Sequence, residues 1–214
     1  MRLATKIFCV KNDQTNCDLS KGVYEGGFKV WECSEDLLKY CLANKIVKAN
    51  QSVCDIGCGA GVLGILALRQ KASQVHLLDY NREVLQWFTL PNILNNLVTD
   101  DELLAGTLDR SKFYPGDWQM VDKELDGMQY DLMLTSETIY SKDNYPKLLA
   151  LIKGHLKPDG VCLLAAKVYY FGLTGGCYEF IEFVQKDDAL EIDEVETIEA
   201  NLQRKILKLT WRKS

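Results

Sequence analysis

Residues 53–64 have the sequence VCDIGCGAGVLG, in which a short apolar run enters closely spaced glycines and continues into a helical pattern. This order of strand, glycine loop and helix is typical of the first βα turn of a nucleotide-type fold. Glycines at such a turn let the backbone bend tightly and let a ligand approach it closely, because no Cβ atom intervenes. The stretch therefore predicts a ligand site at the carboxyl end of a strand.

The rest of the chain repeats this alternation of strands and helices. From about residue 50 onward, short β-rich runs are followed by longer segments of helical period, which predicts an α/β fold with a doubly wound, mostly parallel sheet. Pro91 lies inside one predicted helix and indicates a kink or an early end, and residues 157–160 (KPDG) indicate a turn. The seven predicted strands are 52–56, 74–79, 112–114, 130–135, 161–166, 190–197 and 205–211, and the predicted helices are 62–69, 82–96, 145–156 and 177–185.

Length and composition limit the classes of protein that need to be considered. The 214 residues, 47% of them apolar, contain no Gly/Ser/Pro-rich linker, so we predict a single domain over 1–214, with 1–48 as a cap contributing to the site and 49–214 as the core. A net charge of −5 argues against direct nucleic-acid binding, and eight cysteines without a C-x-x-C pair argue against a metal site. We expect a monomer with reduced thiols, without metal or membrane association, located in the cytoplasm with the nucleus as a further compartment.

The glycine loop fits two ligand classes. Residues 59–64 (GAGVLG) match the G-x-G-x-x-G dinucleotide fingerprint. Asp55 ends the strand beside the loop, where its carboxylate would repel a pyrophosphate by roughly 1 to 4 kcal/mol and favour a ligand that carries an ammonium and a sulfonium. Asp79, 22 positions after Gly57, suits the ribose hydroxyls of either ligand. These acids favour S-adenosylmethionine over NAD, and a glycine turn without any ligand is the third interpretation.

Further motifs follow in a fixed order along the chain. They are GVYEGGFKVWEC at 22–33, LDYN at 78–81, TLPN at 89–92, GDW at 116–118, TSETIY at 135–140 and YFG at 170–172. Together with the D-x-G-x-G-x-G loop, this set resembles the protein-histidine N-methyltransferases, a methyltransferase-like branch of the class I S-adenosylmethionine-dependent methyltransferases. The resemblance covers about residues 19–185, and Asp117 departs from the glutamate expected in that family.

The resemblance implies a Rossmann-like sheet with an antiparallel last strand, S-adenosylmethionine as cofactor and S-adenosylhomocysteine as product. It also implies methyl transfer to a histidine of a protein, expected to be a ribosomal protein of the large subunit. The implied cofactor-binding residues are Val30, Trp31, Glu32, Cys33 and Ser34 at the methionine end, Asp55, Gly57 and Gly59 in the loop, Asp79, Tyr80 and Asn81 at the ribose, Gly116, Asp117 and Trp118 at the adenine, and Ser136 closing the pocket.

Two residues after the fourth predicted strand are candidates for the chemistry. A neutral imidazole, with an unperturbed pKa of about 6.5, already offers a lone pair near neutral pH, so a substrate histidine needs orientation more than a strong base. Glu137 is predicted to accept a hydrogen bond from one ring N–H, and Tyr140 to form an aromatic wall or a hydrogen-bond partner. A protein-lysine methyltransferase on the same scaffold and a non-catalytic cofactor-binding module remain as alternatives. His155 is expected at the surface or its boundary.

Overall fold

The computed structural model describes residues 22–97 and 106–213. Its seven strands form one sheet in the order β3-β2-β1-β4-β5-β7-β6. All pairs from β3 to β5 are parallel, and β7 runs antiparallel to both of its neighbours. The predicted doubly wound, seven-stranded sheet with an antiparallel last strand is therefore confirmed. The strands are β1 Ser52–Ile56, β2 Gln74–Asp79, β3 Ser111–Pro115, β4 Tyr130–Ser136, β5 Leu156–Lys167, β6 Leu190–Ile198 and β7 Arg204–Trp211.

Helices cover both faces of this sheet. Side chains alternate between the faces along a strand, and in β4 Leu132 and Leu134 belong to one buried cluster while Met133 belongs to the other. Burial on both faces explains why the central strands are almost continuously apolar. The helices are α1 Glu32–Ala43, α2 Val62–Arg69, α3 Arg82–Val84, α4 Leu90–Leu97, α5 Trp118–Glu124, α6 Tyr145–His155 and α7 Cys177–Asp187.

The strand order also determines where a ligand can bind. From β1 the chain proceeds to β2 and then β3 on one side, and returns to β4 on the other side of β1. The crevice at the carboxyl ends of β1 and β4 is therefore the topological switch point, where open α/β sheets bind their ligands.

Helix α1 is absent from the set of predicted helices. Its buried side chains, Cys33, Leu37 and Cys41, are spaced four residues apart, so they form a single narrow stripe along the helix. This helix packs against α2 and β5 and brings the segment before it to the crevice.

Pro91 neither kinks the helix at its own position nor ends it early, but it follows a π-helical segment. The helix does not end early, because α4 continues to Leu97, but a π-helical segment, Leu85–Thr89, separates α3 from α4. A proline ring collides with the carbonyl four residues before it in a regular helix, and a wider turn relieves that contact. The irregularity therefore precedes Pro91 and leaves the helix continuous.

Residues 157–160 do not form a separate turn before the fifth strand, since β5 already begins at Leu156. Leu156 pairs with Tyr130, whereas Val161 pairs with Leu132, so the intervening residues make a bulge in the strand.

His155 lies in the interior, so the expectation of a surface position is wrong. Its Nδ1 lies 2.8 Å from the carbonyl oxygen of Met128 and its Nε2 lies 3.2 Å from Asp122 Oδ1. Both partners are acceptors, so the neutral ring donates to one of them and the choice of tautomer decides which.

Within the described residues, no helix is long and apolar enough to cross a bilayer. The same part of the chain holds no cluster of three metal-ligating His, Cys, Asp or Glu side chains, and its six cysteines are unpaired. Cys9 and Cys17 lie outside the described residues.

Candidate active site

A cavity of about 260 Å³ opens at the carboxyl ends of β1, β2 and β4. This cavity is lined both by predicted cofactor-binding residues and by the predicted catalytic pair, Glu137 and Tyr140. The predicted residues that line it are Val30, Trp31, Ser34, Gly57, Gly59, Asp79, Tyr80, Asp117, Trp118, Ser136, Glu137 and Tyr140.

The glycine loop forms the floor of the cavity with a left-handed backbone. Gly57 and Gly59 have φ values of +66° and +49°, which side chains with a Cβ rarely adopt. A Cβ at Gly57 would also lie 2.8 Å from the side-chain methyl of Thr138. The glycines are thus required by conformation and space, and they leave the backbone open to a ligand.

Two buried side chains hold the loop from behind. The Thr89 hydroxyl donates to the carbonyl of Gly59 at 2.6 Å, and the Asn92 amide donates to the carbonyl of Ala60 at 3.1 Å. Both donors come from the TLPN motif at 89–92, whose contact with the glycine loop was not predicted. Thr89 belongs to the π-helical segment, so this irregular turn positions a contact to the loop.

Asp55 does not face the cavity, and the prediction that its carboxylate meets a ligand cation is wrong. Its side chain is 1% exposed, and its Oδ2 accepts the backbone N–H of Gly64 at 2.9 Å. Burial raises the pKa of this carboxyl to about 7, against the lowering effect of that hydrogen bond. Asp55 therefore stabilises the turn from strand to helix. The prediction failed because the sequence places this residue at the strand end but does not determine which way its side chain points.

Four other predicted cofactor residues also lie outside the cavity lining. Asn81 donates to the carbonyl of Val23 at 2.7 Å, and Gly116 donates through its backbone to the carbonyl of Asp79 at 2.9 Å. Cys33 is fully buried, and Glu32 lies 3.3 Å from the Lys167 ammonium. None of these four residues is part of the cavity lining.

Asp79 presents a buried carboxylate at the end of β2. Its Oδ2 accepts the N–H of Gly59 at 3.0 Å and its Oδ1 accepts the N–H of Asn81 at 3.1 Å. Burial raises the pKa of Asp79 to about 6, although both hydrogen bonds oppose this rise, and the charge of Glu25 adds to it. The remaining lone pairs of this carboxylate are suited to accept from hydroxyl groups of a ligand.

Residues 22–31, which we call the N-terminal strap, form one side of the cavity. The Glu25 carboxylate accepts a hydrogen bond from the Tyr140 hydroxyl and another from the backbone N–H of Gly22 at 2.8 Å. Trp31 is fixed by its indole N–H, which donates to the carbonyl of Gly26 at 3.1 Å. Glu25 was not predicted as a site residue, although the YEGG sequence of the strap carries the signal.

Glu137 follows β4 in a strained, left-handed conformation with φ of +59°. Its backbone N–H donates to the carbonyl of Ala165 at 2.9 Å, and its Oε2 accepts the Tyr170 hydroxyl at 2.6 Å. Its Oε1 is buried, lies 3.4 Å from the Lys167 ammonium and accepts no hydrogen bond of good geometry. The Glu137 side chain lines the cavity, so its carboxylate places a negative charge at the cavity wall.

Trp118, the first residue of α5, also lines the cavity, and its ring can stack on a planar ligand group. Asp117 caps this helix by accepting the N–H of Gln119 at 3.0 Å and also pairs with the Lys147 ammonium at 2.6 Å. On the remaining side, the hydroxyls of Ser34 and Ser136 lie 2.8 Å apart. Further lining residues that the sequence analysis did not single out include Lys29, Thr138, Asn144 and Lys147.

Comparison with known proteins identifies the family. Residues 31–167 match the methyltransferase domain family. A Bos taurus protein named histidine protein methyltransferase 1 homolog is 37% identical over 94% of this chain, and histidine protein methyltransferase 1 of Schizosaccharomyces pombe is 30% identical over 92% of it. The chain belongs to the histidine protein methyltransferase family. It spans 60% of the bovine relative and 67% of the fission yeast relative.

The fold of this member of the histidine protein methyltransferase family is also found in solved structures. Magnesium protoporphyrin IX methyltransferase from Synechocystis, with bound SAH, aligns with a TM-score of 0.62 over 84% of this chain and 82% of that chain. The sequence identity is 15%, so this likeness concerns the fold alone.

Proposed function

We propose that this protein transfers a methyl group from S-adenosylmethionine to a ring nitrogen of a histidine in a protein substrate, which we expect to be a large-subunit ribosomal protein. The observation that carries this proposal is the single cavity whose lining includes Asp79 and Trp118 together with Glu137 and Tyr140. Family membership supports the methyl-donor interpretation of the glycine loop over the dinucleotide interpretation.

The residues present fit this cofactor. The left-handed glycines leave backbone within reach of a ligand, Asp79 offers acceptors for ribose hydroxyls, and Trp118 offers a face for the adenine. When bound, the cofactor supplies an electrophilic methyl group on a sulfonium. The protein then has to align the histidine with that carbon and exclude water.

Glu137 is the proposed orienting group for the substrate. A carboxylate that accepts from one imidazole N–H fixes the tautomer and strengthens the lone pair of the other nitrogen. As the methyl group is transferred, the positive charge passes to the imidazole, and a carboxylate at the cavity wall stabilises that charge. Glu137 is one of the carboxylates that line the cavity, which supports this role.

The charges of the cavity favour histidine over lysine as the substrate. Its lining holds four carboxylates and two ammonium groups, those of Glu25, Asp79, Asp117, Glu137, Lys29 and Lys147. The excess of negative charge would raise the pKa of a substrate ammonium and oppose the loss of its proton. A neutral imidazole needs no such loss, so the same carboxylates do not hinder its attack.

Mass spectrometry tests the proposal directly. We expect purified protein, incubated with labelled S-adenosylmethionine and a lysate that lacks its own activity, to place label on a histidine of one large-subunit ribosomal protein. The Asp79→Ala variant, whose cofactor binding is expected to be weakened, serves as the control at a low cofactor concentration. Label on lysine would establish the lysine alternative, whereas tight binding of S-adenosylhomocysteine without any cofactor consumption would establish a non-catalytic module.

The affinity for S-adenosylhomocysteine is expected to fall in acid. Ribose hydroxyls favour the ionised form of Asp79, so ligand binding lowers its pKa from about 6 and protonation opposes binding. We expect a nearly constant Kd above about pH 7 and a rise of up to about tenfold per pH unit below about pH 6. Calorimetry across this range measures the effect, and Asp79→Asn should remove the step. A step of the same size in that variant would assign it to another group, such as Asp55.

A further inference from the structure

Two residues hold the carboxylate of Glu137: Lys167, the last residue of β5, and Tyr170, which follows the strand. Tyr170 donates its hydroxyl to Oε2 at 2.6 Å, and the Lys167 ammonium lies 3.4 Å from Oε1. Neither Lys167 nor Tyr170 lines the cavity, so both reach Glu137 from behind. The Tyr170 hydroxyl also accepts the backbone N–H of Lys167 at 3.3 Å, which links the two residues to each other.

Lys167 is an unusually enclosed lysine. Its side chain is 13% exposed, and its ammonium also lies 3.3 Å from Glu32 and 5.0 Å from the centre of the Trp31 ring. Burial by itself lowers the pKa of Lys167, but the charges of Glu137 and Glu32 outweigh burial and leave the pKa above its ordinary value. Burial and the charge of Glu137 also raise the pKa of Tyr170 far above its ordinary value, so its hydroxyl stays a donor.

The charges of this cluster, which we call the Glu-Lys-Glu triad (Glu32, Lys167 and Glu137), do not cancel. Within the triad, two carboxylates and one ammonium sum to one negative charge. Glu137 lines the cavity, whereas the Glu32 side chain is 60% exposed and screened by water. The proposed reaction moves one positive charge from sulfur to the imidazole, and a carboxylate that contacts the imidazole favours this movement because it stabilises the charge where it develops.

We propose that Lys167 and Tyr170 are positioning residues that hold the Glu137 carboxylate at the cavity wall, where it would meet the N–H of a substrate imidazole. This inference rests on the proposed function. A glutamate side chain has three rotatable bonds, and in the strained conformation of Glu137 its direction depends on its partners. Lys167 lies beside Oε1 and Tyr170 donates to Oε2, so these two residues fix both oxygens of the carboxylate.

Kinetics of matched variants test the inference. Lys167→Met is expected to lower kcat about fivefold while the Kd for S-adenosylhomocysteine and the KM for protein substrate change by less than about twofold. Lys167→Arg, which restores the cation, should recover most of kcat, and Tyr170→Phe should lower kcat about threefold. Lys153→Met is the control, because Lys153 pairs with Asp187 on the surface between α6 and α7 and should leave kcat unchanged.

Unfolding measurements test the contact without turnover. Removing one partner of a buried ion pair leaves the other charge unpaired, so Lys167→Met and Glu137→Gln should each lower the urea midpoint. Their combination should lower it by less than the sum of the two shifts. Additive midpoints, or a kcat of Lys167→Met equal to that of the parent protein, would overturn the inference. A parent protein that methylates lysine or nothing would instead overturn the proposed function, while the double-variant result still reports on the contact.

Discussion

Replacement of Asp79 by alanine is expected to weaken the binding of S-adenosylhomocysteine by about a hundredfold or more. Hydrogen bonds to a charged group contribute roughly 1.5 to 3 kcal/mol each, and two hydroxyl contacts together exceed the 2.7 kcal/mol or so that a hundredfold change requires. The carboxylate also fixes the N–H groups of Gly59 and Asn81, so its loss additionally loosens the glycine loop.

Calorimetry with S-adenosylhomocysteine measures this loss. Asp79→Asn should fall between the parent protein and the alanine variant, because its one remaining oxygen can accept while its charge is absent. Asp159→Ala, at an exposed position of the β5 bulge, should bind like the parent protein. An alanine variant at residue 79 that keeps its affinity within about threefold would contradict the assignment of the ribose site.

Replacement of Glu137 by alanine is expected to lower turnover at least about tenfold, or about 1.4 kcal/mol of barrier, with the affinity for S-adenosylhomocysteine preserved. The variant loses the acceptor that orients the imidazole and the negative charge that stabilises the methylated ring. Alanine in place of Glu137 also leaves Lys167 with Glu32 as its one remaining ion-pair partner among the described residues.

Single-turnover methyl transfer is the appropriate measurement, since it separates the chemical step from product release. Glu137→Gln keeps the side-chain volume and an acceptor oxygen but removes the charge, so its rate should lie between those of the parent and alanine proteins. Glu182→Ala removes a carboxylate from an exposed pair on α7 and serves as the control. An unchanged rate in Glu137→Ala would remove Glu137 from the mechanism.

The parts of the fold that could be predicted from sequence are those with a local signal. The strands alternate with helices at short spacing, and the glycines of the loop are required by their own backbone conformation, so neither depends on distant residues. Helix α1 was missed because its buried stripe consists of only Cys33, Leu37 and Cys41, two of which are not strong apolar signals.

The parts that could not be predicted depend on contacts between distant segments. Glu25 meets Tyr140 across 115 positions of the chain, and Asp122 meets His155 across 33. Spacing placed Asp55 at the end of the correct strand, but the nearby Gly64 N–H draws its carboxylate into the interior. Side-chain direction at a strand end is decided by such partners, whereas the position along the chain is decided by the pattern.

The hydrogen bond from Thr89 to the carbonyl of Gly59 also orients the N–H of the same peptide group, which belongs to Ala60. A peptide unit is planar and trans, so the carbonyl of Gly59 and the N–H of Ala60 point in opposite directions. With the carbonyl tied to Thr89 at 2.6 Å, the Ala60 N–H is directed away from that helix, at a residue that lines the cavity. The π-helical segment thereby fixes the orientation of the Ala60 N–H before a ligand binds. Binding then carries no entropic cost for ordering that amide.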